Sequence, residues 1–96
     1  MVIGFLEVTL DMPGNQSLKD KRRVLKSVMG RVKAKFNVSA AEVALCDNPR
    51  VGLIGFSVCG SDGRVLESVL ERLLNFVEDN ADAVVRSSRK QCAIMD

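Results

Sequence analysis

The chain has 96 residues, 47% of them hydrophobic and 27% charged, with a formal net charge of +2. That size and balance are those of one globular domain over residues 1–96 rather than a disordered chain, and leave little room for a second core. Histidine is absent, which removes the commonest general base and metal ligand and every Ser-His or Cys-His nucleophile pair.

Residues 2–10 alternate as a strand, with Gly4, Leu6, Val8 and Leu10 on one face and Ile3, Phe5, Glu7 and Thr9 on the other. The opening residues carry no basic leader and reach Glu7 too early for a signal peptide. No apolar run approaches the roughly 20 residues of a membrane helix, so the expectation is a soluble protein of the cytoplasm. Pro13-Gly14 then breaks the strand. Ser17 is placed to cap a helix, with Asp20 three residues on in the capping-box position.

From Leu18 to Phe36 the residues Leu18, Leu25, Met29, Val32 and Phe36 recur at helical spacing. The helix is expected to end at Asn37 or just before it, in a left-handed conformation. Val38 to Leu45 reads as a short strand, Asp47-Asn48-Pro49 as a turn and Val51 to Val58 as the clearest strand. Ser61-Asp62 opens a second amphipathic helix through Val65, Leu66, Val69, Leu70, Leu73, Phe76 and Val77, closed by Asp79-Asn80. Ala83 to about Lys90 is the last strand, followed by a weakly specified tail.

The order βαββαβ is the split βαβ pattern of an α+β, ferredoxin-like fold. Right-handed crossovers put both helices on one face of a four-stranded antiparallel sheet and leave the other face bare.

Charge is distributed unevenly. Between Ser17 and Phe36 stand eight basic residues and one acid, whereas Asp62 to Asp79 is mainly acidic. At about 100° per residue, Lys19, Arg22, Arg23, Lys26 and Lys33 share one flank of the first helix. Such a flank attracts phosphate backbones without reading base sequence. The competing reading is a solvated face partly neutralised by the acidic second helix.

Arg50 to Val58 faintly echoes the ribonucleoprotein motif of RNA-recognition domains. Base stacking on that strand is disfavoured, because Tyr and Trp are absent and Phe56 shares a face with Ile54 and Val58. Ile3, Phe5 and Leu53 leave the open sheet face partly apolar. That suggests a homodimer through the face or an edge strand, unless the carboxy-terminal tail covers the patch.

Other chemistries find little support. Cys46, Cys59 and Cys92 are too few and too scattered for a disulfide framework or a metal site, and no cofactor is expected. Gly60-Ser61-Asp62-Gly63 lacks the phosphate-binding glycine motifs. Glu67 and Glu71 lie one turn apart on an exposed helix with no pocket to tune them. The expectation is therefore a binding protein rather than an enzyme.

Ser17-Leu18-Lys19-Asp20-Lys21-Arg22-Arg23-Val24-Leu25-Lys26 and Phe36-Asn37-Val38-Ser39, with the later Gly55-Phe56-Ser57-Val58, resemble the YlxP-like family of small bacterial proteins of unknown function. The resemblance covers nearly the whole chain and implies a ferredoxin-like fold. It carries over no catalytic residues. Genes of that family often stand among translation-initiation and ribosome-maturation genes, which implies ribosomal RNA or a ribosomal subunit as partner. Asp47-Asn48-Pro49-Arg50 stands where many members have a longer polar segment with a Trp, so a shared site drawn from that segment would be altered here.

Overall fold

Strict alternation along β1 (Val2–Asp11) buries Val2, Gly4, Leu6, Val8 and Leu10 and turns Ile3, Phe5, Glu7, Thr9 and Asp11 to the opposite face. The structure is a computed structural model describing residues 1–96. After β1 come α1 (Leu18–Lys35), β2 (Ser39–Ala44), β3 (Val51–Gly60), α2 (Gly63–Asn80) and β4 (Val84–Ile94). The strands form one antiparallel sheet in the order β2-β3-β1-β4, which is the expected ferredoxin-like arrangement. α1 packs on β2 and β3, and α2 packs mainly on β1 and β4.

The core lies between the helices and the sheet. Leu6, Val8 and Leu10 of β1 and Ile54 and Phe56 of β3 meet Leu25, Val28 and Val32 of α1 and Leu70, Leu73 and Val77 of α2. Phe56 is thus a core residue, as its strand alternation requires.

Both helix starts follow from their sequence. Ser17 Oγ accepts the Asp20 amide at 3.1 Å, and Asp20 Oδ2 accepts the Gln16 amide at 3.4 Å. Asp62 accepts the Arg64 amide at 2.9 Å. These bonds satisfy amides that have no partner within the helix.

One expectation is corrected, and one alternative falls away. α1 does not end in a left-handed residue: Phe36 caps it in extended conformation, with φ −121°, and sends its amide to the Val32 carbonyl. The chain then reverses from α1 into β2 through Asn37 and Val38 with no residue at positive φ, because the extended Phe36 closes the last turn through its own amide. The carboxy-terminal tail does not fold over the open face either. Its backbone continues β4 along the sheet edge to Ile94, paired residue by residue with β1.

The residue at left-handed φ is instead Leu45, at φ 60°, in the β2–β3 connection. A non-glycine residue there costs about 1–2 kcal/mol. What offsets it is Lys21, one of the eight basic residues of the first helix, whose side chain is only 1% exposed. Lys21 Nζ donates to the Leu45 carbonyl at 2.8 Å and to the Cys46 and Val51 carbonyls at 3.3 Å. It also lies 2.8 Å from Glu42 Oε2. An ammonium has three protons, and here four oxygens surround them. The positive φ turns the Leu45 side chain outward, where it is 48% exposed, while its carbonyl meets the ammonium.

Removing one member of a buried ion pair typically costs about 3–5 kcal/mol. Lys21→Ala is expected to approach the lower end of that range, because Glu42 keeps some contact with water. Urea denaturation measures the loss, and hydrogen exchange should rise first in residues 45–51. Leu73→Ala, at a fully buried core position, is expected to cost about 2–5 kcal/mol. Val65→Ala, at a position 56% exposed, is expected to stay within about 0.5 kcal/mol.

Candidate nucleic-acid interface

The buried stripe of α1 is Lys21, Leu25, Val28 and Val32, and everything else on the helix is placed relative to it. Lys19, Arg22, Arg23, Lys26 and Lys33 are all exposed. At about 100° per residue, Lys19, Arg22, Lys26 and Lys33 fall within an arc of about 60°. Lys19 and Lys33 are about 21 Å apart along the axis at 1.5 Å per residue.

Arg31 and Lys35 lie about 150–170° round the helix from that arc, and both engage α2. Arg31 Nη1 donates to the Asn80 carbonyl at 2.8 Å. Lys35 Nζ sits 5.0 Å from the centre of the Phe76 ring, which itself meets Phe36 edge-on at 5.6 Å. The side of α1 that touches α2 is therefore fixed, and the four-cation arc points away from it, toward the edge strand β2.

This arrangement decides how far the acidic helix neutralises the basic one. The structure has four ion pairs: Lys21–Glu42, Arg86–Asp11, Arg89–Glu7 and Lys90–Glu71. None joins α1 to α2, and none takes a cation of the arc. Glu71 turns to Lys90 on β4, because α2 lies over that side of the sheet. Arg23 is the exception among the five. It lines a shallow cleft between the helices together with Asp79 and Asp82, so acidic side chains share its surroundings. The structure thus brings four of the five residues together and sets Arg23 apart at the margin.

The open sheet face is less apolar than alternation suggested. Ile3, Phe5 and Leu53 all lie on it, but Ile3 and Leu53 are half-buried and only Phe5 is well exposed, at 43%. Leu53 pairs with Thr9, six residues along β1 from Ile3, which separates the two by about 20 Å at 3.3 Å per residue. Glu7 and Arg89, paired at 2.8 Å, cross the space between them. The three residues do not form one continuous patch.

Sequence reading missed the role of Lys21. Its place in the inward stripe was visible, since it precedes Leu25 by four and Val32 by eleven. In a segment so rich in cations it was counted with the surface charge. Val43 was also missed. A shift in the β2–β3 register between Glu42 and Ala44 lets it lean over the sheet, to where a Cβ on Gly55 would come within 2.9 Å of Val43 Cγ1. Gly55 is therefore small because another side chain occupies its space.

No helix is long and apolar enough to cross a membrane. No group of three or more Cys, Asp and Glu side chains could hold a metal ion.

A family model described as "Protein of unknown function (DUF503)" matches residues 3–90. The "Uncharacterized protein YlxP" of Bacillus subtilis (strain 168) is 36% identical over 77 residues, covering 80% of this chain and 84% of that protein. The matched span takes in the basic helix, the buried lysine and the open-face strands. On these two matches, the chain belongs to the YlxP-like family of unknown function, DUF503.

Proposed function

We propose that this protein is a non-enzymatic binding protein that holds structured RNA, with ribosomal RNA the leading candidate, against the flank of α1. One observation carries the reading: Lys19, Arg22, Lys26 and Lys33 stand exposed in a single arc and pair with no acid of the chain. Their 21 Å span is about six steps of a nucleic-acid strand at 3.4 Å each. Folding leaves their charge unused, although the acidic helix lies alongside. Phosphate oxygens are the natural complement of such a row.

A homo-oligomer joined through the open sheet face is the rival reading. It now rests mainly on Phe5, because Ile3 and Leu53 are half-buried and far apart. Sedimentation at high concentration tests it, and a strictly monomeric profile disposes of it.

Binding of the purified protein to ribosomal subunits and ribosomal RNA fragments across a salt series tests the main proposal. Each phosphate contact contributes about 0.7–0.9 to the slope of log K against log salt. A variant with Lys19→Ala, Arg22→Ala, Lys26→Ala and Lys33→Ala should therefore lose about 3 from that slope. Arg31→Ala, on the side facing α2, should leave the slope nearly unchanged. Binding that resists salt, or is equal in wild type and the fourfold variant, rejects the flank as the contact surface.

A further inference from the structure

The four phenylalanines divide by environment. Phe56 is buried in the core, while Phe36 and Phe76 pack against each other between the helices. Phe5 alone presents its ring to solvent, from the centre of the sheet on the face without helices. Its strand partners are Ser57 on β3 and Gln91 on β4, and Ser57 in turn pairs with Ser39 on β2. One row across the sheet therefore reads Ser39–Ser57–Phe5–Gln91, an aromatic ring flanked by neutral hydrogen-bonding groups.

The adjoining row reads Ala41–Gly55–Glu7–Arg89. Ala41 carries almost no side chain, and Val43 leans from β2 over Gly55 to form a wall beside the ring. Together these residues enclose an open concavity of about 770 Å³. It is roomy enough for one or two planar rings and poorly suited to an aliphatic side chain, which would leave Ser39, Ser57 and Gln91 without partners.

Charge sets the direction from which an occupant enters. The lining itself is balanced, because Arg89, whose side chain is 84% exposed, is tied to Glu7. Lys90, in register with buried Leu6, turns its side chain to the helix face and Glu71. The wall opposite β4 is β2, the edge strand toward which the four-cation arc of α1 points. A ligand leaving the concavity over β2 thus meets cations. A planar, hydrogen-bonding ring joined to negative charge on that side describes a nucleotide within a strand.

We infer that the open face binds an unpaired base of single-stranded RNA, stacked on Phe5, while the same strand continues over the edge of β2 onto the basic flank. The inference rests on the RNA reading and extends it. Phosphate contact needs no particular strandedness, whereas stacking on Phe5 requires a base that is free of a duplex. Ser39, Ser57 and Gln91 supply hydrogen bonds to base edges, and the ring supplies a sequence-tolerant platform.

The test uses heptauridylate, heptaadenylate and a short RNA duplex as probes. With ring-labelled phenylalanine, single-stranded probes are expected to shift the Phe5 proton resonances while those of Phe56 stay in place. Phe5→Ala and Phe5→Leu should each weaken single-strand binding about tenfold, leave duplex binding unchanged and preserve the salt slope. Phe5→Tyr should retain single-strand binding. Phe5 is well exposed, so an unchanged melting temperature will show that these variants fold.

If the probes move amides of α1 but not the Phe5 ring, or bind Phe5→Ala as tightly as wild type, stacking is overturned and phosphate binding by the flank stands. If Phe5→Ala instead converts a dimer to a monomer, the face is a self-association surface and the inference is overturned. If neither these probes nor ribosomal RNA bind, both readings fall together.

Discussion

Lys21 ties the first helix to the far end of the sheet. Its ammonium gathers the carbonyls of Leu45, Cys46 and Val51 and the carboxylate of Glu42 into one buried cluster. Two of those oxygens belong to the segment that turns β2 into β3, the third to the first residue of β3, and the fourth to β2 itself. A single side chain thereby sets the roll of α1 about its axis, since Lys21 can reach the cluster only if Leu25, Val28 and Val32 face the core. Once that roll is set, the direction of every other charge on the helix follows. The outward arc of Lys19, Arg22, Lys26 and Lys33 is thus a geometrical consequence of one inward cation.

The two helices divide their charge between inside and outside work. On the α2 side, Arg31 and Lys35 hold the helices together through a carbonyl and an aromatic ring rather than through carboxylates. The acids of α2 are left to β4, as with Glu71 and Lys90, or to solvent. Opposite charges on neighbouring helices therefore do not imply mutual neutralisation, because helix roll and sheet position decide which of them can meet. Exposed ion pairs return so little free energy that nothing forces long side chains to cross the gap.

Much of this was legible in the residues. Alternation along β1 and β3 revealed which face is buried, and the spacing of Leu25 and Val32 gave the inward side of α1. Ser17 and Asp62 announced their helices. The edge strand β4 was harder to read. Most of its residues from Arg86 to Gln91 are exposed on either face, so period-two burial fades and only backbone pairing with β1 carries the strand on to Ile94. The helix end was misread because Asn37 suggested a left-handed cap where the chain needed none. Lys21 was hidden by its company, since composition cannot tell a buried cation from seven exposed ones. Its partners lie 21 to 30 residues away, and three of them are carbonyls, which leave no trace in the identity of a side chain. The concavity beside Phe5 was invisible for a related reason: it depends on a register shift that brings Val43 over Gly55.

The two margins of the sheet are finished differently, and this bears on how the chain avoids recruiting further strands. A sheet margin offers bare amides and carbonyls to any extended peptide, and long flat margins invite runaway association. The β2 margin is only six residues long, and its register shift kinks the row of free backbone groups. The β4 margin is eleven residues long and has a register shift at Arg86; it carries Arg86, Arg89 and Lys90, each tied back to a carboxylate of the same molecule. An incoming strand would have to accommodate those three side chains or break their ties. The pairs of β4, two to β1 and one to α2, thus place bulk and charge along the margin that any added strand would have to meet.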